Sequence, residues 1–247
     1  MKNKIVLITG AGQGMGLACA QKFLESGANV IINDIDSQRL DQVKKKLKDF
    51  DGCYKTIAKD ISSKLEVESM VQDAIDIYGQ LNILINCAGV LKTTQVIDIP
   101  ENEWDFIMSV NLKGTFLCSQ AVLPHMREAR WGRIINFSST AGKNISTIGG
   151  AHYTASKAGI LGFTRHLAKE EASYGITVNS ICPGLINTEM VSKTISKKKI
   201  DDYKKSFPIQ RLGEPEEIAD LVMYLSSNKS SYITGASFDI NGGDLLI

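Results

Sequence analysis

The chain has 247 residues, of which 43% are hydrophobic and 22% charged, the composition of an ordinary globular protein able to bury a full core. Its 28 basic and 27 acidic residues nearly cancel, so charge gives no reason to expect nucleic acid or a membrane surface as a partner. Five scattered cysteines without C-x-x-C spacing predict reduced thiols rather than a disulfide or zinc framework. No apolar run of leader or membrane-spanning type is evident, so we expect a cytoplasmic protein.

Short apolar runs alternate with longer amphipathic runs along the chain, which is typical of an α/β protein with helices on both faces of a parallel sheet. The predicted strands are Ile5–Thr9, Asn29–Asn33, Gly52–Ala58, Ile83–Asn86, Arg133–Phe137, Thr177–Ile181 and Ser237–Ile240. The predicted helices are Gly14–Ser26, Ser37–Asp49, Lys64–Tyr78, Asn102–Arg127, Tyr153–Tyr174 and Pro215–Ser226. Because no linker or repeat interrupts this pattern, we expect one domain, residues 1–247, built on a doubly wound sheet of about seven strands.

The segment 189–210 differs from the rest of the chain, because it is polar, carries several lysines and follows a predicted strand. Ligands of doubly wound proteins bind beyond the carboxyl ends of the strands. The segment is therefore predicted to form a helical flap over that edge of the sheet, above the substrate.

A glycine-rich turn follows the first strand in the sequence VLITGAGQGMG. Glycines in such a turn let the backbone approach a pyrophosphate, and the helix that follows offers amide donors and its positive dipole end. The same sequence could form a glycine-rich turn without a ligand, but its place directly after the first strand favours nucleotide binding. The turn residues predicted to contact the cofactor are Gly10, Gly12, Gln13, Gly14, Met15 and Gly16.

Asp34 ends the second predicted strand, about twenty residues beyond the glycines, where a carboxylate accepts hydrogen bonds from ribose hydroxyls. The same charge would repel the additional phosphate of NADP. Gln13 offers no positive charge for that phosphate, and Arg39 is predicted to be a solvated surface charge. These residues favour NAD over NADP.

Tyr153 and Lys157 lie four positions apart on a predicted helix and therefore share one face. An ammonium beside a phenol favours the phenolate, so Lys157 is expected to lower the pKa of Tyr153 from its usual value near ~10. The spacing alone is common, and Tyr153 could be a packed aromatic residue. The serine-rich strand end just upstream, which includes Ser138 and Ser139, favours a role in catalysis.

These motifs, taken in order along nearly the whole chain, resemble the short-chain dehydrogenase/reductase family, whose members have a single Rossmann-like domain. The matching segments are the glycine turn, Asp60 in KDIS, Asn86-Cys87-Ala88-Gly89, Asn111 in SVNLKG, Ser139 in NFSSTAG, the Tyr153/Lys157 pair, Pro183-Gly184 with Ile186 and Thr188, and the C-terminal segments RLGEPEEIA and ITGASFDINGG. The resemblance implies further cofactor contacts at Asp60, Ile61, Asn86, Ala88, Gly89, Tyr153, Lys157, Pro183, Gly184, Ile186 and Thr188.

The resemblance also implies a catalytic tetrad of Asn111, Ser139, Tyr153 and Lys157 that supports hydride transfer between a nicotinamide and a carbinol or carbonyl carbon. Tyr153 would be the general base in oxidation and the general acid in reduction, and Ser139 would hydrogen-bond the substrate oxygen. Lys157 would bind the nicotinamide ribose. Asn111 would hold a water linking Lys157 to solvent, although it could equally be a buried amide bonded to helix backbone.

Two departures from the family pattern concern the neighbourhood of the site. Cys87 replaces the second asparagine of the family motif, and the interval from Ser139 to Tyr153 is one residue longer than usual. The longer interval affects the loop 142–150, which borders the substrate. The residues expected around the pocket are Val90, Leu91, Asn144, Ile145, Ser146, Thr147, Ile148, Leu185 and Met190.

Histidines are not assigned to the chemistry. His152, next to the tyrosine, is predicted to be a solvated residue of the first helical turn. His125 and His166 have no metal-like partners nearby in the sequence, so no metal site is predicted.

The sequence therefore predicts an NAD-dependent oxidoreductase acting on a secondary alcohol or ketone such as a polyol or hydroxyketone. The alternative is a 3-oxoacyl-[acyl-carrier-protein] reductase using NADPH, whose acidic partner would dock on basic residues such as Arg127, Arg130 and the run 197–199. A cofactor-bound scaffold without turnover is a further hypothesis, disfavoured by the intact tetrad. The resemblance also implies a homotetramer built through the long helices.

Overall fold

The apolar runs predicted as strands form one parallel sheet in the computed structural model, which describes residues 1–247. Its strands are β1 (Ile5–Thr9), β2 (Asn29–Asp34), β3 (Tyr54–Ala58), β4 (Ile83–Asn86), β5 (Gly132–Phe137), β6 (Ile176–Pro183) and β7 (Ser237–Ile240). Their order across the sheet is β3-β2-β1-β4-β5-β6-β7, and every neighbouring pair is parallel. This is the doubly wound, Rossmann-like arrangement predicted from the sequence.

The helices cover both faces of the sheet. They are α1 (Gly14–Glu25), α2 (Ser37–Lys46), α3 (Lys64–Tyr78), α4 (Glu101–Met108), α5 (Gly114–Glu128), α6 (Ala151–Glu171), α7 (Glu189–Thr194), α8 (Lys197–Ser206) and α9 (Pro215–Leu225). Alternate residues of β1 point to opposite faces, so Val6 and Ile8 join one apolar cluster while Ile5 and Leu7 join the other. The first cluster includes residues of α1, α2 and α9, and the second those of α3, α5 and α6.

The single helix predicted over Asn102–Arg127 is divided into α4 and α5 by a π-helical turn at Ser109–Lys113. Such turns occur frequently at functional sites, because they change the direction of side chains within one helix. Here the turn carries Asn111, whose side chain is fully buried.

The helical run Glu101–Glu128 also corrects one expectation, because by length and composition it could cross a membrane, with a mean hydropathy of 1.2. The core helices of globular proteins pass the same test. This run has that character, because Leu117, Val122 and Met126 belong to the apolar cluster formed with α3 and the sheet.

The topology places a crevice at the carboxyl ends of β1 and β4, which are neighbours in the sheet but not in the chain. Thr9 is paired with Asn86 at this point, and ligands of doubly wound sheets bind at such a reversal of strand order. The polar segment 189–210 contains α7 and α8, and the Tyr203 hydroxyl of α8 donates a hydrogen bond to the Thr147 carbonyl at 3.0 Å.

Candidate active site

A cleft opens at the reversal of strand order, where the β1–α1 turn approaches the end of β4. Gly10 has a φ of +64°, and a Cβ there would lie 2.5 Å from the Ala88 Cα. The Ala88 amide donates to the Thr9 hydroxyl at 3.2 Å, which holds the two chain segments together. Only glycine combines this conformation with this approach, so the turn presents bare backbone to the cleft.

Most of the predicted cofactor residues line this cleft. Those found there are Gly10, Gln13, Gly14, Met15, Gly16, Asp34, Asp60, Ile61, Ala88, Gly89 and Thr188. The cleft also contains residues that the sequence did not indicate, including Asn33, Ile35, Lys59, Phe106 and Val110. Phe106 and Val110 come from α4 and the π turn, so no motif near the glycines could have pointed to them.

Asp34 is held firmly at the end of β2 and has a side chain only 5% exposed. Its Oδ2 accepts from the Gly12 amide at 3.0 Å, and its Oδ1 accepts from the Asp36 amide at 3.0 Å. A Cβ on Gly12 would lie 2.6 Å from Oδ2, so the glycine permits this contact. Gly12 therefore shapes the cleft by positioning Asp34, although Gly12 is absent from the cleft lining.

Arg39 is not the solvated surface charge expected from the sequence. It lines the cleft and contacts two carboxylates, with Nη1 3.4 Å from Asp34 Oδ1 and Nε 3.3 Å from Asp36 Oδ2. One turn of α2 returns its side chain to the end of β2, a contact that a helix-surface position alone does not reveal.

Asn86 does not line the cleft, contrary to its predicted role. Its side chain is buried and donates to Ser119 Oγ at 3.1 Å and to Asn136 Oδ1 at 2.9 Å. These bonds join β4 to β5 and α5 inside the core. The amide thus stabilises the sheet beneath the site.

The remaining predicted residues meet in a second cavity that adjoins the cleft. Ser139, Tyr153, Lys157, Pro183, Gly184 and Ile186 all line it. Met15, Cys87, Gly89, Thr188 and Met190 line both spaces, so the cleft and the cavity are continuous. The strand ends of β4, β5 and β6 and the first turn of α6 converge here, as parallel topology requires.

Burial controls the protonation of the Tyr153 and Lys157 pair. Lys157 donates from Nζ to the Phe137 carbonyl at 2.8 Å, and burial lowers its pKa to about 8. Burial raises the pKa of Tyr153, and a hydrogen bond with Ser139 opposes that rise without cancelling it. The predicted lowering of the Tyr153 pKa by Lys157 is therefore wrong for the protein's own groups, because desolvation dominates in the closed cavity.

The two serines at the end of β5 have different roles. The Ser138 hydroxyl donates to the Lys157 carbonyl at 2.8 Å and is buried, so it ties β5 to α6. Ser139 lies beside Tyr153 in the cavity, and its Oγ also accepts from the Ala141 amide at 3.1 Å. The Tyr153 phenol interacts with Ser139 rather than with Ser138, so Ser139 is the serine that we expect to reach a substrate oxygen.

Asn111 is fully engaged by protein groups. Its Oδ1 accepts from the Val90 amide at 2.8 Å, while Nδ2 donates to the Val90 carbonyl and to Ser156 Oγ, each at 3.0 Å. Ser156 Oγ in turn donates to the Tyr153 carbonyl at 2.7 Å. These contacts favour the interpretation of Asn111 as a buried amide that holds the loop after β4 against α6.

The substrate side of the cavity is partly as predicted. Leu91, Ser146, Thr147, Ile148, Leu185 and Met190 line it. Ile145 is 77% exposed and lies outside, and Val90 borders the cofactor cleft instead. Asp244 is an unpredicted member of the lining, and burial raises the pKa of its carboxyl group. No group of three or more His, Cys, Asp or Glu side chains has a geometry suited to a metal ion.

His152 is fully buried, whereas the sequence predicted a solvated side chain. Its Nδ1 accepts from the Tyr153 amide at 2.9 Å, and its Nε2 lies 3.1 Å from Glu103 Oε1. Glu103 is distant in sequence, so no local pattern could have indicated the pair.

Comparison with known proteins agrees with this geometry. A family described as "Enoyl-(Acyl carrier protein) reductase" matches residues 10–244. The chain is 36% identical over 243 residues to 3-oxoacyl-[acyl-carrier-protein] reductase FabG of Thermotoga maritima, with 98% of each chain covered. It is 39% identical to (2S)-[(R)-hydroxy(phenyl)methyl]succinyl-CoA dehydrogenase subunit BbsD of Thauera aromatica, covering 100% of this chain and 98% of that one.

A solved structure is similarly close. The crystal structure of 3-oxoacyl-[acyl-carrier protein] reductase from Brucella melitensis superposes with a TM-score of 0.92 at 38% identity, covering 100% of this chain and 92% of that one. The sheet topology, the cleft and the Ser–Tyr–Lys cavity define a nicotinamide-dependent oxidoreductase acting on CH–OH or ketone groups. The chain belongs to the short-chain dehydrogenase/reductase family. The relatives favour the 3-oxoacyl reductase alternative over the polyol prediction.

Proposed function

We propose that this oxidoreductase interconverts 3-oxoacyl and 3-hydroxyacyl thioesters and that NAD(H) is its cofactor. The observation that carries the substrate class is the full-length similarity, at 36% and 39% identity, to one enzyme named for a carrier-protein thioester and another named for a CoA thioester. A nicotinamide site beside Ser139 and Tyr153 is supported by the continuity of the cleft that holds the glycine turn with the cavity that holds these two side chains.

The bound nicotinamide would supply or accept the hydride at the substrate carbon. In reduction, Tyr153 donates its phenolic proton to the ketone oxygen, and the Ser139 hydroxyl donates a hydrogen bond to the same oxygen. Burial raises the pKa of Tyr153, so the phenol is protonated at neutral pH and holds the proton that reduction requires. This state suits the reductive direction. Lys157 and the glycine turn position the cofactor.

Asp34 supports NAD through its charge and its fixed position. The carboxylate lies in the cleft at the end of β2, where a ribose hydroxyl can donate to it and a phosphate would be repelled. Arg39 is the nearest guanidinium, and two carboxylates already contact it, Asp34 and Asp36. The local charge at this end of the cleft is therefore unfavourable for the additional phosphate of NADP.

The acyl group could be carried by CoA or by an acyl-carrier protein. Arg127, one of the basic residues expected to dock a carrier protein, donates to both carboxylate oxygens of Glu171 and lies over the Tyr174 ring, 4.5 Å from its centroid. A guanidinium engaged in this way has less charge to offer a partner, so we test a CoA thioester beside a carrier-protein thioester.

The test follows nicotinamide absorbance with the purified protein, as NADH oxidation with acetoacetyl-CoA, acetoacetyl-carrier protein or a hydroxyketone and as NAD⁺ reduction with a polyol. We expect turnover of at least one thioester, and Tyr153→Phe should lower kcat by about 100-fold or more, the usual contribution of a general acid. Turnover of the polyol or hydroxyketone alone would overturn the substrate class. Near wild-type turnover by Tyr153→Phe would overturn the mechanism.

Cofactor preference has its own test. We expect kcat/KM to be higher with NADH than with NADPH, and Asp34→Asn to narrow that ratio by about 10-fold, which corresponds to about 1.4 kcal/mol of lost discrimination. Asp41→Asn is the matched control, because Asp41 is exposed on α2 and pairs only with Lys44. A wild-type protein that prefers NADPH would contradict the assignment.

A further inference from the structure

The helix that carries Tyr153 begins without the usual side-chain cap. α6 starts at Ala151, and the preceding residue is Gly150, which has no side chain to accept from the free amides of the first turn. His152 supplies the missing acceptor, because its Nδ1 accepts from the Tyr153 amide at 2.9 Å. The residue inside the first turn thus caps the amide of the catalytic tyrosine.

The tautomer of His152 follows from this bond. An Nδ1 that accepts carries no proton, so the neutral ring holds its proton on Nε2 and donates it to Glu103 Oε1 at 3.1 Å. Hydrogen bonds from Thr94 and His152 lower the pKa of Glu103, which keeps it a carboxylate. The imidazole is fully buried, so water cannot replace either partner.

Glu103 connects the cap to the wall of the site. It lies on α4, and the Gly150 amide donates to the Lys92 carbonyl at 2.8 Å in the loop after β4. The same loop contributes Gly89 and Leu91 to the cavity of Tyr153. The imidazole therefore joins α4 to the start of α6, and the Gly150–Lys92 bond joins the start of α6 to the loop after β4. These three segments must be in register for the phenol to meet the substrate oxygen.

We propose that His152, oriented by Glu103, is a positioning residue that sets the Tyr153 phenol for proton transfer. The inference rests on the role of Tyr153 in the proposed function. It predicts that the bond to the Tyr153 amide matters for the chemical step, and that Glu103 acts through the imidazole. Neither side chain lines the cavity, so neither is expected to bind substrate.

Two variants separate the two bonds of the ring. In His152→Asn, the side-chain oxygen lies at about the position of Nδ1 and can still accept from the Tyr153 amide. The Asn side chain is too short to reach Glu103. The Gln side chain in His152→Gln reaches Glu103 as Nε2 does and leaves the Tyr153 amide unpaired. Both are neutral amides, so they differ mainly in which bond survives.

We expect His152→Gln to lower kcat by about 10-fold with little change in KM for either substrate, because a misplaced catalytic group affects the transition state more than binding. His152→Asn should recover kcat to within about three-fold of the wild type. Cofactor binding, followed by nicotinamide fluorescence, should be unchanged in both. Equal losses in the two variants, or losses that appear in KM or in thermal stability alone, would overturn the proposal.

A double-mutant cycle tests whether Glu103 acts through His152. Glu103→Ala should lower kcat by several-fold, and the double variant Glu103→Ala/His152→Gln should be no worse than His152→Gln, because both act through one amide. Glu101→Ala is the control, since Glu101 is exposed on the same helix and forms no hydrogen bond or ion pair. Additive effects would contradict a shared route.

The outcomes also separate this inference from the proposed function. If Tyr153→Phe abolishes thioester turnover while His152→Gln keeps the wild-type kcat, the function stands and the positioning role fails. If Tyr153→Phe remains active, the mechanism itself fails. Should His152→Gln not fold, Glu103→Ala carries the test, because Glu103 is partly exposed and belongs to neither apolar cluster.

Discussion

Burial determines the chemistry of the individual catalytic residues more strongly than their sequence neighbours do. Tyr153 and Lys157 share a helix face as predicted, yet Lys157 Nζ lies 5.6 Å from the centre of the Tyr153 ring and donates to the Phe137 carbonyl. Both pKa values move towards the neutral form, upwards for Tyr153 and downwards for Lys157. A neutral phenol beside a readily neutralised amine is what burial of both groups favours, because desolvation disfavours the charged form.

The Lys157 pKa predicts how stability depends on pH. The pKa of Lys157 in the folded protein is about 8, below the 10.5 of a lysine exposed to water. Between those values the unfolded chain keeps a proton that the folded chain has released, so rising pH favours folding by about 1.4 kcal/mol per unit. Lys157→Met has no such titrating group. The free energy of unfolding of the wild type should therefore rise by about 3 kcal/mol relative to that of Lys157→Met across this interval.

The measurement is denaturant unfolding of both proteins from about pH 7 to about pH 10. Because the same cysteines and tyrosines titrate in both proteins, the difference isolates Lys157. Lys169→Met is the control, since Lys169 is exposed on the same helix. A difference between Lys157→Met and the wild type that stays constant with pH would show that the buried lysine keeps an ordinary pKa.

At the scale of elements, the flap and the loop 142–150 behave as one wall of the cavity. α7 contributes Met190 and Val191 to the lining, and α8 is tied to the loop by the bond from Tyr203 to Thr147. The Tyr203 ring also stacks on Phe207, with centroids 6.4 Å apart and planes 11° apart. The loop 142–150, which is one residue longer than usual, is thus held by a hydrogen bond from the flap.

Tyr203→Phe keeps the ring and removes the hydrogen bond. A bond of this kind contributes about 1 kcal/mol, so we expect the KM for substrate to rise by about five-fold with kcat nearly unchanged. Tyr224→Phe on α9 is the matched control, because its exposed hydroxyl forms no hydrogen bond to the protein. Steady-state kinetics decide the matter, and an unchanged KM would show that the flap does not depend on this contact.

At the scale of the whole molecule, the helices expected to form the assembly leave apolar side chains uncovered. Phe116 of α5 is 40% exposed. Phe116 also packs edge-to-face on Phe163 of α6, with centroids 6.1 Å apart. Members of this family are commonly tetramers, and the long helices α5 and α6 form the surface at which we expect a second copy to pack.

Phe116→Lys tests that surface, because a charge in the middle of an apolar interface is costly to bury. Light scattering should give a mass of four chains for the wild type and of fewer chains for the variant. Ile77→Lys is the control, since Ile77 is also half-exposed but lies on α3. A monomeric wild type, or a variant with unchanged mass, would contradict this assignment.

The fold was accessible from the sequence because it depends on local patterns, and the candidate site residues came from motifs and from the family that those motifs resemble. Apolar runs of strand length, helical periodicity and a glycine turn after the first strand are sufficient to indicate a doubly wound sheet. The carboxyl ends of parallel strands meet at one edge, so Asp34, Ser139 and Pro183 were expected together and are found there. The boundaries of the elements shifted by a few residues, because helix and strand ends depend on tertiary contacts.

Burial and partners distant in the chain are what the amino-acid order alone did not reveal. The sequence predicted a solvated His152, but in the structure its side chain is buried and contacts Glu103, 49 residues away in the chain. Asn86 matched a cofactor motif, but its side-chain amide is buried in the core, where it donates hydrogen bonds to Asn136 and Ser119. The pKa of Tyr153 rises because the packed structure desolvates the phenol. Motifs therefore located the candidate residues, and the tertiary structure decided their burial, their partners and the direction of their pKa shifts.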